Sequence, residues 1–389
     1  MSNRPLLNRR LAGMGTTIFA EMSALATATG SINLGQGFPD TDGPEEVREA
    51  AVRALREGRG NQYPPGPGVP ELRQAIVEHQ QRFYGLGYDP DTEVLVTAGA
   101  TEAIAASLLA LLEPGDEVIA FEPFYDSYAA CIAMAGATRV PLTLRAPDFR
   151  PDLDELSALI TPRTRLLLLN TPHNPTGTVL TADELSAIAA LAVEHDLLVV
   201  TDEVYEHLVF GASVHRPIAA LPGMRERTVS ISSAGKTFSF TGWKVGWVTA
   251  APELVAAVRT AKQYLTYVSA GPFQYAVAEA LRLPDTYFAT FRSELERKRD
   301  LLDAGLRTAG FEVYEPQGTY FITTDVASFG EKDAYAFCRA LPERCGVVAI
   351  PNSVFYDDKE AGRSQVRFTF CKQDSVLEDA AERLQRLRA

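Results

Sequence analysis

Between residues 93 and 248, short runs of unbroken apolar residues alternate with longer amphipathic stretches, and this rhythm restricts the fold more than any other feature. Glu93-Val94-Leu95-Val96-Thr97 leads into a helical pattern from Thr101 to Leu112, and Glu117-Val118-Ile119-Ala120-Phe121 follows. Arg165 to Leu169, a helical pattern from Ala182 to His195, Leu197 to Val200, Val229 to Ile231 and Val245 to Val248 continue it. Strands that are apolar at every position are covered on both faces, as in a mostly parallel sheet between two helical layers. A chain of 389 residues also exceeds the roughly 250–300 residues at which one core stops growing, so a second lobe is expected. The stretch from residue 281 supplies it: a charged helical pattern over 290–309, then alternating strands at Thr319 to Ile322 and Val366 to Phe370, read as α+β. Residues 1–44 lack the strand–helix repeat and carry turn signals at Gly35-Gln36-Gly37-Phe38-Pro39-Asp40, so they read as an arm joining that smaller lobe. Residues 45–280 then form the large lobe.

The net charge of −13 argues against a nucleic-acid surface, which needs clustered lysine and arginine. Cys131, Cys338, Cys345 and Cys371 show no paired spacing, so neither disulfides nor a metal site is expected. No apolar stretch approaches the roughly 18 residues of a membrane span, and the start has no signal-peptide core, so a cytoplasmic enzyme is expected.

In open α/β sheets ligands bind beyond the carboxyl ends of the strands, and the unusual residues fall there. Gly99-Ala100-Thr101 opens a helix, where small residues let backbone amides approach an anion, although a plain threonine-capped helix start reads the same way. Glu122 to Tyr128 offers aromatic faces, Tyr125 among them, which are more often core. Asn170-Thr171-Pro172-His173-Asn174-Pro175 is either an Asx-turn or a source of amide donors. Asp202 directly follows an apolar run, and a buried carboxylate needs a cation, unless it only caps a following helix. After the next run, Ser232-Ser233-Ala234-Gly235-Lys236 places a lysine on a strand-exit loop, suited to an imine with a carbonyl, with Lys244 as a second cation nearby. Arg367 alternates with Val366 and Phe368, a pattern that by itself points it outward, while its planar fork suits a carboxylate.

Together with Asn33 to Asp40, Asn61-Gln62-Tyr63, Thr201 to Tyr205 and Thr241 to Trp247, these segments resemble the class I and II aminotransferases of fold type I, over nearly the whole chain. The resemblance implies a large domain with a mostly parallel seven-stranded sheet, a smaller α+β domain, and pyridoxal 5'-phosphate as cofactor. It makes Lys236 the Schiff-base lysine and Asp202 the partner of the pyridine nitrogen. Asn174 and Tyr205 hold the phenolic oxygen, and Tyr125 stacks on the ring. Ser233, Lys244 and the Gly99-Ala100-Thr101 turn hold the phosphate, joined by Tyr63 of a second subunit, so the active unit is a homodimer. Arg367 and Gly37, with Asn174, take the substrate carboxylate, and Phe19, His173, Tyr63 and residues 268–273 shape the side-chain pocket.

Within the family the chain is similar to the kynurenine and glutamine transaminases, the methionine-type enzymes and the N-succinyldiaminopimelate aminotransferases. Tyr125, Thr101 and Phe19 depart from the kynurenine branch, whereas Gly15 to Leu25 and Tyr63-Pro64-Pro65-Gly66-Pro67-Gly68 are closest to the last group. The implied reaction moves an amino group from N-succinyl-LL-2,6-diaminopimelate to 2-oxoglutarate in lysine synthesis. The alternatives are a kynurenine, glutamine or methionine aminotransferase and a cysteine-conjugate β-lyase. A transcription-regulator sensor domain is not expected, since the residues before Asn33 hold no helix-turn-helix pattern and no basic surplus.

Overall fold

The computed structural model describes residues 6–12 and 14–388. Helix α1 (Ile18–Thr29) starts at Thr17, whose side-chain oxygen accepts from the Ala20 amide, and stops at Gly30, whose φ of 61° is left-handed. Strand β1 (Ile32–Asn33) then pairs in parallel with residues 347–348. Ile18, Met22, Ala26 and Leu34 share one apolar core with Phe337, Val347 and Phe368. The arm is therefore tied to the carboxy-terminal part, and it holds more regular structure than its turn signals suggest.

Helix α2 (Glu45–Arg56) buries Val47, Ala50, Ala51 and Ala54, the one-face spacing of an amphipathic helix. With α3 (Pro70–Tyr84) it packs on the helix Gly271–Leu281. Seven strands follow: β2 (Val94–Thr97), β3 (Glu117–Glu122), β4 (Thr138–Thr143), β5 (Thr164–Asn170), β6 (Leu198–Asp202), β7 (Thr228–Ser233) and β8 (Gly246–Thr249). They form one sheet in the order β2-β8-β7-β6-β5-β3-β4. Strands β3 to β7 pair in parallel, and β8 runs antiparallel to both its neighbours. Every residue of β2, β3, β7 and β8 is buried; β2 and β3 accordingly show no alternation, while β7 alternates small hydroxyl residues with Val229 and Ile231. Two separate apolar cores, one holding Val118, Leu166 and Val200 and the other Ile119, Leu167 and Val199, occupy the two faces of the sheet.

The carboxy-terminal part holds the 25-residue helix Asp285–Ala309, β9 (Glu312–Tyr314), β10 (Phe321–Asp325), β11 (Val347–Val348), β12 (Ile350–Pro351) and β13 (Gln365–Thr369). Four of these strands make an antiparallel sheet in the order β12-β13-β10-β9. Strand β10 begins two residues later than the apolar alternation suggests, because Thr319 has a φ of 68° and the chain is still turning there. All five residues of β13 are buried. The outward placement that alternation gives Arg367 is therefore wrong: Val366 and Phe368 enter the small-lobe core, while the opposite face is closed by the amino-terminal segment.

Candidate active site

Strand β7 ends at Ser233, and a one-turn helix, Ala234–Thr237, follows where a loop was expected. That turn aims Lys236 into a cleft at the carboxyl ends of β5, β6 and β7, which Asn170, Asn174, Asp202, Tyr205, Ser233, Lys236 and Lys244 line. Lys236 Nζ donates to Tyr320 Oη at 2.8 Å and to the Gly37 carbonyl at 3.4 Å. Burial pulls its amine down to about 8, against the opposing pull of Cys371 and Asp202.

Part of the lining of this cleft is an anion cup. Helix α4 (Gly99–Leu111) starts there and presents first-turn amides without intrahelical partners. Gly246 on β8 approaches so closely that a Cβ would stand 2.5 Å from the Gly99 carbonyl carbon. A Cβ on Gly99 itself would meet Lys244 Nζ at 3.0 Å, so the ammonium lies against the helix start. Lys244 has a φ of 53°, uncommon for a residue with a side chain. Ala100, Thr101 and Ser233 complete the lining, and the donor set suits a phosphate.

Asp202 ends β6 and is buried. Tyr128 donates to its Oδ2 at 2.7 Å and the Val204 amide to its Oδ1 at 3.3 Å. Burial nevertheless holds its carboxyl above the ordinary range. Residues 204–207 form a turn and no helix follows Asp202, so a helix-capping role is ruled out. What this carboxylate lacks is a cationic hydrogen-bond donor in the cleft, and a protonated ring nitrogen is one. The donors and acceptors of the cleft thus fit pyridoxal phosphate: cations and amides at the cup, the buried anion Asp202, and the primary amine of Lys236 line the same space.

Arg367 is 1% exposed, and no carboxylate pairs with it among the described residues. Its Nη1 donates to Asn174 Oδ1 at 2.9 Å and its Nη2 to the Gly35 carbonyl at 3.0 Å, while its Nε is buried without a partner. The guanidinium lies 4.0 Å from the ring centre of Phe321, 5.2 Å from Phe19 and 5.3 Å from Phe355. An orphaned donor on a buried cation calls for an anionic ligand.

Phe19 lines an adjoining cleft with Tyr125, Asp126, Arg139 and Phe355, and Tyr125 belongs to both clefts. Tyr63 lies apart from both: it is 81% exposed and lines a third depression with residues 268–271. His173 lines none of these; it is buried, its Nδ1 is 2.7 Å from Thr176 Oγ1, and burial lowers its pKa to about 3. Its ring contacts Thr176, and the structure adds no support to the pocket role expected for it. Three residues carry site geometry that the sequence reading did not assign: Tyr128 on Asp202, Asn170 with Nδ2 on the Asp202 carbonyl, and Tyr320 on Lys236. Only the first had a signal, an aromatic three residues beyond Tyr125 in the same strand-exit segment.

Residues 29–384 match the family model of aminotransferase class I and II. A probable N-succinyldiaminopimelate aminotransferase of Mycobacterium tuberculosis is 55% identical over 386 residues, covering 96% of this chain and 97% of its own. The solved structure of that organism's N-succinyldiaminopimelate aminotransferase superposes with a TM-score of 0.96 at 54% identity, over 98% of this chain and 100% of the other. The methionine aminotransferase of Escherichia coli is 43% identical over the full length of both chains. Among the described residues no helix is long and apolar enough to cross a membrane. The chain belongs to the class I and II aminotransferases, and pyridoxal 5'-phosphate is its cofactor.

Proposed function

We propose that this aminotransferase takes N-succinyl-LL-2,6-diaminopimelate as amino donor and 2-oxoglutarate as acceptor, in an active site built on Lys236, Asp202 and Arg367. The likeness to the mycobacterial enzyme, well above that to the methionine enzyme, supports the substrate. The orphaned Nε of Arg367, in the guanidinium that Asn174 and Gly35 steady beside Lys236, carries the assignment of the site.

Bound pyridoxal phosphate supplies an electron sink for the bonding pair left at the substrate Cα. The chain's residues do the rest. Lys236 would hold the cofactor covalently, and its ε-amine, when free, takes the proton from the substrate Cα and returns it. A free lysine, at about 10.4, is too strongly protonated for this at neutral pH; burial corrects that. Asp202, steadied by Tyr128, keeps the ring nitrogen protonated. Asn174 and Tyr205 hold the phenolic oxygen, and Tyr125 covers a ring face. Gly99, Ala100, Thr101, Ser233 and Lys244 hold the phosphate. Arg367, with Asn174 and the backbone at Gly37, fixes the α-carboxylate and so turns the Cα–H toward Lys236. Phe19 then borders the space left for the side chain.

The phosphate site gains Tyr63 from a second copy in this reading. Tyr63, Tyr264, Leu265 and Tyr267 are exposed, an apolar surface of the kind that subunit contacts cover. A single-chain mass in sedimentation equilibrium would contradict the dimer.

The substrate is tested by following the absorbance of the bound cofactor as single amino acids are added. The N-succinyl donor and glutamate are expected to react with the highest kcat/KM among a set that includes methionine, glutamine and kynurenine. Faster reaction with one of those three moves the enzyme to that branch. Pyruvate and ammonia from cysteine conjugates without any 2-oxo acid would instead make it a β-lyase.

Arg367→Lys is expected to raise KM for every donor by roughly 10- to 100-fold, because a point charge cannot reproduce the fork and a hydrogen bond to a charged group contributes about 1.5–3 kcal/mol. Steady-state kinetics with an unchanged KM would remove Arg367 from the carboxylate site.

A further inference from the structure

One hydroxyl joins two parts of the site that lie far apart in sequence. Tyr320 Oη donates to the Gly37 carbonyl and at the same time accepts from Lys236 Nζ at 2.8 Å. A phenol has one proton, so with that proton on Gly37 the oxygen offers lone pairs to the amine. Burial keeps the phenol protonated.

The placement of this hydroxyl is fixed on every side. Tyr320 is 1% exposed, and its ring meets Tyr205 edge-on at 5.3 Å and Phe321 at 4.8 Å. Its carbonyl accepts from the Phe370 amide at 2.9 Å and Thr369 Oγ1 at 3.1 Å. The Gly37 segment reaches it only because residue 37 has no side chain: a Cβ there would lie 2.5 Å from Phe321 Cζ and 3.2 Å from Tyr320 Cε2.

We propose that Tyr320 is a positioning residue of the transamination: braced on the Gly37 carbonyl, its hydroxyl holds the ε-amine of Lys236 whenever that amine is free, and keeps it aimed at the substrate Cα between taking the proton and returning it. This rests on the assignment of Lys236 given above. The proton balance is closed. Nζ gains the Cα proton and becomes an ammonium, whose N–H groups donate to Tyr320 Oη and the Gly37 carbonyl until one proton leaves again. The same Gly37 backbone serves the substrate carboxylate, so anchoring of the substrate and aiming of the base share one brace.

Tyr320→Phe removes the oxygen and keeps the ring. The first measurement uses cofactor-free protein: reductive methylation of Lys236, read by peptide mass spectrometry as a function of pH. The groups facing the amine besides Tyr320 are Cys371 and Asp202, which favour the ammonium, and Arg367 and Lys244, which oppose it; all four remain in the variant. Loss of an acceptor disfavours the ammonium, so the midpoint is expected to fall by about one pH unit from the wild-type value near 8. The second measurement is steady-state kinetics: kcat is expected to fall roughly 10- to 100-fold with KM for the donor within about threefold. An unchanged midpoint overturns the proposal, and so does a raised KM with kcat retained, which would make Tyr320 only a prop for Gly37. Should the phenylalanine variant fail to fold, 3-fluorotyrosine at position 320 preserves the shape and weakens the acceptor; a midpoint that does not fall then overturns it equally. Borohydride labelling of reconstituted protein separates the two assignments. A wild type left unlabelled at Lys236 removes the lysine assignment, whereas label there with no change in the variant removes Tyr320 alone.

Discussion

Lys236→Ala is expected to abolish transamination, lowering kcat by roughly 10⁴-fold or more, while the protein still folds and still takes up pyridoxal phosphate. A positioned general base contributes roughly 10²- to 10⁴-fold, and here the same nitrogen is also the covalent anchor, so both contributions vanish together. Folding is spared because the buried amine is a cost in the cofactor-free protein: burial drags its pKa to about 8, and among the described residues only Tyr320 and the Gly37 carbonyl accept from it. Cofactor retention follows from groups the substitution leaves alone, namely the α4 amides with Lys244 at one end and Asp202 at the other. Three observations check this: turnover, the absorbance of the isolated variant, and borohydride labelling. Wild-type turnover would reject the assignment of Lys236. A variant that folds yet takes up no cofactor would show that the cup is too weak alone.

The parts of the fold that the sequence announced are those whose burial is uniform. Strands β2, β3, β7 and β8 are covered on both faces, and the unbroken apolar cores of β2 and β3, Val94 to Val96 and Val118 to Phe121, announce it most plainly. Strand β4 escaped the reading because it is the sheet edge: it carries Arg139 and Pro141 and is buried fully only at Leu142. Strand β13 misled in the opposite sense. Its alternation of Val366, Arg367 and Phe368 is that of a half-exposed strand, yet the second face is closed by residues more than three hundred positions away in sequence, Gly35 among them. No local pattern carries that information; for Arg367 it came from family resemblance.

The site divides in the same manner. Asp202 and Lys236 stood out because each is a charged residue at the end of an apolar run, where an unpaired charge is costly. Gly99 reads as a helix start open to an anion and Gly246 as one residue of an apolar run, and only their mutual contact shows that the one lets the other approach. Tyr320 gave no sign, since an aromatic residue in an apolar segment is most often core. Its partner Gly37 lies in the amino-terminal arm. Phe19 and Tyr63 remain outside the cleft that holds Lys236, one bordering an adjoining space and the other on the exposed rim.

Asp202→Asn is expected to separate catalysis from stability. Asparagine keeps the shape, and its carbonyl can still accept from Tyr128 or from the Val204 amide. What it loses is the negative charge that holds the ring nitrogen protonated. Breaking a buried charged pair costs about 3–5 kcal/mol, which corresponds to a drop in kcat of roughly 10²- to 10⁴-fold. Stability of the cofactor-free protein should move the other way. The Asp202 carboxyl has its pKa raised by burial. The folded state therefore binds more protons than the unfolded one above the ordinary carboxylate range, and this residue's contribution falls as pH rises through that window. At neutral pH the neutral isostere avoids this penalty, so the melting temperature of the cofactor-free variant should equal or exceed that of wild type. The difference should shrink as pH falls back toward the ordinary carboxylate range. With cofactor bound the order reverses, because the wild-type carboxylate then has its cation. Thermal melts of both proteins, with and without pyridoxal phosphate, decide the matter: a cofactor-free variant clearly less stable than wild type would make Asp202 a structural residue.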